Sequence, residues 1–240
     1  MIDFFADPYS LDTNKIISFP KAQKRASLCA ISDTIPLQLL YSAYFQGIFP
    51  WFCEDDGEPV CWHSPNPRFC IQAEKFHIPS RLKRTLKSVP FSYTMDTCFD
   101  RVMDECRTMT RKGQSGTWIG QKMKDAYFAF YKKGFAHSVE VWNDKNLVGG
   151  LYGVLIGSVF FGESMFTIES ESSKCAFVHF AKAFISSGGG LIDSQVYTEN
   201  IARYGAQNIS RDAYLYLLKP LLRKPLSLDI HEAFEKEVFV

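Results

Sequence analysis

The sequence predicts an α+β or α/β layer built on one mixed sheet. Three observations carry this. Apolar residues recur at helical spacing in several early segments, the pattern turns strand-like near Ala136, and the remainder runs strands, helix, strand, helix. With 240 residues, 46% of them apolar, the chain can bury a sizeable core in one large or two modest domains.

Taken in order, Pro36 at a first helical position and Gly47 just past the end bracket Leu37, Leu40, Tyr41 and Tyr44, which predicts a helix. A stretch dense in aromatics and prolines follows, Gly47-Ile48-Phe49-Pro50-Trp51-Phe52 and then Trp62-His63-Ser64-Pro65-Asn66-Pro67-Arg68. Such composition argues against regular helix or central strand, so this loop divides a small N-terminal domain, 1–64, from a larger one, 65–240. Three helices are expected next, over about 79–88, 96–108 and 118–133, with Gly134 stopping the last. From Ala136 the residues alternate loosely, and Asn143-Asp144-Lys145-Asn146 turns the chain into a β-rich run, Leu147 to Gly153. A strand over about 158–163 leads to a helix near 171–186, stopped by Gly188-Gly189-Gly190. The strand Leu191 to Val196, a short helix ending at Gly205 and a helix near 211–218 complete the chain, with no internal repeat or low-complexity segment.

The 27 Lys and Arg nearly balance the 26 Asp and Glu, for a formal net charge of +1. Position resolves what the total hides: residues 1–74 carry −4, residues 75–133 carry +8 and residues 134–240 carry −3. A positive middle between acidic flanks fits an anionic partner, and it also fits solvated helix faces. No window approaches the roughly 18 apolar residues of a membrane span, so no membrane partner is expected. Asp3 and Asp7 stand where a signal peptide would be positive, which points to a cytoplasmic protein. The seven cysteines are scattered without a Cys-x-x-Cys and read as reduced thiols, neither a disulfide framework nor a zinc site.

Several segments together resemble one family, the leucyl/phenylalanyl-tRNA–protein transferases. They are Ala43-Tyr44 with Gly47 to Phe52, Trp62-x-Ser64-Pro65-x-Pro67-Arg68, Gly116-Thr117-Trp118-Ile119, and His137-Ser138-Val139-Glu140-Val141-Trp142. Leu147 to Val154, Phe161-Gly162-Glu163-Ser164-Met165-Phe166, Ser173-Lys174, Gly190-Leu191-Ile192-Asp193-x-Gln195 and Gly205-Ala206 continue the set in the family's order. The resemblance implies a small N-terminal α/β domain joined to a C-terminal domain of the N-acetyltransferase-like (GNAT) mixed-sheet fold, and a monomer. It implies transfer of Leu or Phe, less well Met, from aminoacyl-tRNA to the N-terminal amine of a protein that usually begins with Arg or Lys. The product is marked for degradation, and no metal or organic cofactor is expected.

An aminoacyl ester is already activated, so orientation and charge management matter more than a strong base. The resemblance assigns Asp193 and Gln195 to catalysis; two apart on a predicted strand, they would share one face. Gln195 would accept a hydrogen bond from the amine and aim it, while Asp193 would stabilise the developing ammonium. An Asp and a Gln at a sheet end binding loop backbone is the plain alternative. The donor's side chain needs an apolar pocket, for which matched positions offer Leu151, Phe160, Met165, Phe177, Phe180, Phe184 and Ile192. Phe177, Phe180 and Phe184 also have the helical spacing of ordinary core. Trp51 and Trp118 resemble positions that meet the terminal adenosine of the tRNA, with Tyr44 and Glu163 beside them. Glu163, in an otherwise apolar strand, is either a buried polar organiser or a solvent-facing end, and if buried it is expected to have hydrogen-bond donors nearby.

Arg81, Lys83, Arg84 and Lys87 fall in one predicted helix and resemble the family's basic helix that grips the acceptor stem, a patch that Lys122, Lys124, Lys132 and Lys133 extend unless they only solubilise a helix. Departures from the family pattern cluster at Ile31-Ser32-Asp33-Thr34, at Glu171-Ser172-Ser173-Lys174 and at Asn200, with two added acids, Glu169 and Glu171. They bear on the acceptor, not on the donor. Two rival functions remain at this stage: an acyl-CoA-dependent N-acyltransferase, which would need a glycine-rich loop opening a helix, and a non-enzymatic RNA-binding protein.

Overall fold

A computed structural model describes residues 7–24, 26–51, 59–109 and 119–237. The chain enters through strand β1, Leu28–Ser32, and helix α1, Leu37–Tyr44, whose Leu37, Leu40, Tyr41 and Tyr44 are buried as their spacing predicts. Gly47 takes φ +70° just past α1, where a side chain would also strike Tyr214 at 2.7 Å. Strands β2, Phe49–Trp51, and β3, Val60–His63, follow and form a three-stranded antiparallel sheet in the order β1-β3-β2. This corrects the expectation of an irregular loop. Pro50 occupies an edge strand, the place a sheet tolerates it, and the central strand β3 is a proline-free piece of the stretch.

The larger part comprises β4 (Arg68–Gln72), α2 (Ser80–Ser88), β5 (Phe91–Met95), α3 (Phe99–Thr108), α4 (Gln121–Lys132) and β6 (Ala136–Asn143). It continues with β7 (Asn146–Ile156), β8 (Val159–Thr167), α5 (Ser172–Ser186), β9 (Leu191–Asp193), α6 (Glu199–Ala202), β10 (Gln207–Ile209), α7 (Arg211–Arg223) and α8 (Ile230–Lys236). Their strands make a seven-stranded mixed sheet ordered β10-β4-β9-β8-β7-β6-β5, antiparallel except for the β8–β9 pair. Helix α3 begins at Phe99 because Asp96 takes φ +59°, which a right-handed helix cannot contain, and β5 precedes it unannounced. The last helix runs longer than expected, and α8 follows it.

Side chains alternate across the large sheet and feed two cores. On β7 and β8, Tyr152 and Phe161 face the core shared with α1, α3 and α4, while Leu151 and Phe160 face the core shared with α2, α5 and α8. The first of these cores also takes in Trp62 and Val60, so it joins the small sheet to the large one. Between β7 and β8 the register shifts: Gly153 pairs with Gly162 but Tyr152 pairs with Ser164, leaving Glu163 as the extra residue of a bulge. The described cysteines, Cys29, Cys61, Cys70, Cys98, Cys106 and Cys175, are free, and among the described residues no helix is long and apolar enough to cross a membrane.

Helix α5 starts hard against β7. A Cβ at Gly149 would stand 2.2 Å from the Ser172 hydroxyl, and that hydroxyl donates to the Val148 carbonyl at 2.8 Å. Gly149→Ala should therefore lower unfolding free energy by about 1–3 kcal/mol in urea denaturation, as overpacking does.

Candidate active site

Strands β8 and β9 run parallel, joined by the α5 crossover, with Phe161 opposite Asp193 as their last pair. There β9 stops, while β8 continues through its bulge, and the two chains part. A cavity of about 590 Å³ occupies the opening. Strand β9 is shorter than the expected Leu191 to Val196, because Asp193 Oδ1 accepts the backbone N–H of Gln195 at 2.9 Å and turns the chain. Gln195 takes φ +59°, so the simple strand alternation predicted for Asp193 and Gln195 does not hold. Both still line the cavity.

Asp193 is fully buried and its carboxylate is fully engaged. Arg68 Nε donates to Oδ1 at 2.8 Å, Arg68 Nη2 donates to Oδ2 at 2.6 Å, and the Tyr214 hydroxyl donates to Oδ2 at 2.6 Å. Arg68, itself fully buried, also donates through Nη1 to the Gly47 carbonyl at 3.0 Å and lies between the Phe49 and Tyr214 rings, 4.9 and 4.5 Å from their centroids. Neither Arg68 nor Tyr214 was given a role by sequence reading. The signal for Arg68 is a charged residue leading an otherwise apolar strand, Phe69-Cys70-Ile71.

Glu163 provides the second anchor. Its Oε1 accepts from the Tyr44 hydroxyl at 2.7 Å and from Gln195 Nε2 at 3.0 Å, and its Oε2 accepts from the Tyr127 hydroxyl at 2.9 Å. The two tyrosine hydroxyls also stand within hydrogen-bond contact of each other, so their two protons serve three contacts. Burial pushes the Glu163 carboxyl up to about 7 despite the two tyrosine donors, which favour the ionised form. In its ionised form Glu163 only accepts, so it orients the Gln195 amide with nitrogen toward itself and leaves Oε1 as the acceptor that amide can offer.

Five of the seven expected pocket residues, Leu151, Phe160, Met165, Phe177 and Ile192, line the cavity. Phe180 and Phe184 are not among its lining residues: both are fully buried behind Phe160, with Phe180 packed on it at 4.1 Å between centroids, so their helical spacing marks core. Trp51 lines the cavity on the side of the small sheet, whereas Trp118 lies outside the described residues. Arg81, Lys83, Arg84 and Lys87 are all exposed on α2, whose Leu82 and Leu86 are buried. Lys124 does not extend that surface freely, since it pairs with Asp100 and Asp104 at 2.9 and 2.8 Å. The two added acids turn to their own neighbours, Glu169 to Asn143 at 3.0 Å and Glu171 to Lys174 at 2.6 Å, and neither lines the cavity.

An apolar cavity that carries an oriented amide and two carboxylates, with a basic helix elsewhere on the surface, is the candidate active site. The family model described as Leucyl/phenylalanyl-tRNA protein transferase matches residues 70–219, and the model for that family's N-terminal domain matches residues 33–66. A protein named leucyl/phenylalanyl-tRNA–protein transferase from Myxococcus xanthus is 43% identical over 206 residues, 86% of this chain and 87% of its own length. One of the same name from Lawsonia intracellularis is 47% identical over 188 residues, 78% of this chain and 82% of its own length. This chain belongs to the leucyl/phenylalanyl-tRNA–protein transferase family, a family of transferase enzymes. A solved structure of a functionally unknown conserved protein from Staphylococcus epidermidis overlays with a TM-score of 0.39 at 11% identity, covering 60% of this chain and 57% of that one.

Two outcomes test the site's energetics. Arg68→Met should cost about 3–5 kcal/mol by leaving Asp193 buried and unpaired, and adding Asp193→Leu should restore most of that loss in urea denaturation. The second concerns Glu163, whose folded-state pKa of about 7 lies above the ordinary carboxyl value of 4.5. Its contribution is fully present below pH 4.5 and is lost as pH rises through 7. Wild type should therefore lose about 2–3 kcal/mol of unfolding free energy relative to Glu163→Gln across that window, and a pH-independent difference would contradict the raised pKa.

Proposed function

We propose that the protein transfers a leucyl or phenylalanyl group, less well a methionyl group, from aminoacyl-tRNA to the N-terminal amine of an acceptor protein that begins with Arg or Lys, marking it for degradation. The observation that carries this reading, beside family membership, is the meeting of Glu163 and Gln195 at the polar end of an apolar cavity. In the reaction the acceptor nitrogen bonds to the aminoacyl carbonyl carbon and the ester bond to the ribose 3′ oxygen breaks. The nitrogen loses a proton and the 3′ oxygen gains one. An α-amine with a pKa of about 7.7–8.0 is neutral in useful fraction at physiological pH, so no strong base is needed.

Gln195 Oε1 accepts a hydrogen bond from the amine and aims it, as the fixed amide supports. Asp193 acts at one remove: with both oxygens committed to Arg68, Tyr214 and the Gln195 backbone, it positions Gln195. Leu151, Phe160, Met165, Phe177 and Ile192 hold the donor's side chain, and the unbranched thioether of Met165 suits a wall that accepts both Leu and Phe. Trp51 receives the terminal adenosine, and the exposed basic face of α2 takes the acceptor stem through phosphate contacts. We read residues 1–64 as the small domain and residues 65–240 as the transfer domain of the GNAT-like fold, a reading supported by the two separate sheets and the parallel β8–β9 pair. The protein acts in the cytoplasm as a monomer, and the transfer itself takes no cofactor.

Transfer of labelled Leu or Phe from charged tRNA to peptides differing only in their first residue tests the function, and transfer to none of them with tRNA binding intact would contradict it. In the same assay Gln195→Ala should reduce kcat by about 10²-fold while tRNA affinity stays within twofold. Charge reversal at Arg81, Arg84 and Lys87 should weaken tRNA binding and flatten its salt slope by about one unit per lost contact. An unchanged slope would make the α2 face a merely solvated surface.

A further inference from the structure

Outside the cavity, Asp96, His137 and His231 converge from three distant points of the sequence. Asp96 Oδ2 accepts from His137 Nδ1 at 2.6 Å and from His231 Nε2 at 2.8 Å, and the three ligand atoms all lie within 4.8 Å of one another. None of the three lines the cavity. From these positions the structure assigns a divalent transition-metal site, with zinc as the metal that fits two imidazoles and one carboxylate.

Four features support coordination beyond a simple hydrogen-bonded cluster. The other Asp96 oxygen, Oδ1, accepts the backbone N–H of Ser138 at 2.8 Å, which fixes the carboxylate with Oδ2 toward the two rings. Asp229 Oδ1 caps α8 by accepting the backbone N–H of His231 at 2.9 Å and of Glu232 at 3.2 Å, which fixes the backbone that carries His231. One carboxylate oxygen of Asp96 therefore faces two imidazole nitrogens at once, a three-atom donor set of the kind that holds a divalent cation. Finally, the His231 side chain is 45% exposed while those of His137 and Asp96 are 10% and 13% exposed, which leaves one side open to solvent for a fourth, water ligand.

Tetrahedral zinc with bonds of about 2.0 Å sets its ligand atoms about 3.3 Å apart, so the two Asp96 contacts lengthen by roughly half an ångström on binding. His231 sits in the first turn of the seven-residue helix α8. Binding replaces the two imidazole protons now shared with Oδ2. The metal would tie α8 to the outer strands of the sheet, and α8 packs in turn against α5, which carries Phe177 of the cavity wall. The role assigned is therefore structural: the site clamps the C-terminal helix and supports the pocket from behind.

The test uses the full chain, stripped with chelator and then titrated with zinc or cobalt. One equivalent of zinc should bind and raise Tm by about 5 °C or more at a hundredfold excess over Kd. Both effects should fall at least tenfold in affinity for His231→Ala, a half-exposed position whose loss leaves the core intact, and for Asp96→Asn. Cobalt should give weak visible bands of nitrogen and oxygen ligation. No zinc binding, binding equally tight in His231→Ala, or an intense cobalt–thiolate band showing that cysteines hold the metal would each overturn the assignment.

Discussion

A pair of opposite charges, Arg68 and Asp193, lies fully out of water at the centre of this protein. Removing two ions from solvent costs several kcal/mol apiece, and only good geometry with further hydrogen bonds offsets it. Here the guanidinium fork meets both carboxylate oxygens, and the Tyr214 hydroxyl, the Gly47 carbonyl and the Gln195 N–H take up further bonding positions. Those partners come from the turn after α1, from two strands of the large sheet, from the segment after β9 and from α7. The pair contributes arrangement more than stability: with Asp193 anchored, β9 ends there and Gln195 turns toward the cavity.

The cavity itself follows from two strands that stop agreeing. After Phe161 and Asp193, β8 gains an extra residue at Glu163 while β9 ends, so Glu163 and Gln195, each two residues beyond that last pair, meet across the gap at 3.0 Å. The bulge also restores Met165 to the side of Leu151 and Phe160, where it lines the apolar wall. Tyr44 and Tyr127 arrive from α1 and α4 on the opposite face of the sheet and satisfy the carboxylate from behind. One acid thereby couples the helix-covered core to the orientation of one amide.

Much of the helical framework was legible from spacing and stop signals, since α1, α2, α4 and α5 each carry an apolar stripe bounded by Pro or Gly. The strands were less so. Strand β3 is short and sits among prolines, β5 reads Phe-Ser-Tyr-Thr-Met beside a helix, and β10 spans only three residues whose pairing is decided by β4 far away in sequence. The candidate site was partly legible: ordered motifs singled out Asp193, Gln195, Glu163 and apolar positions that line one cavity. What spacing could not show is which residues meet. The bulge at Glu163, the turn at Gln195 and the pairing of Arg68 with Asp193 all depend on long-range register, and Phe180 and Phe184 look like pocket residues until Phe160 is seen to stand between them and the cavity.

If the buried pair acts on the reaction by holding Gln195, its effect and that of the amide must belong to one chain of interactions. A double-mutant cycle on kcat with Arg68→Lys, which keeps the charge but loses the fork, and Gln195→Ala measures this directly. The double variant should be no slower than Gln195→Ala alone. Losses that simply multiply would show that Arg68 and Gln195 act independently and would contradict the central role given to the Arg68–Asp193 pair.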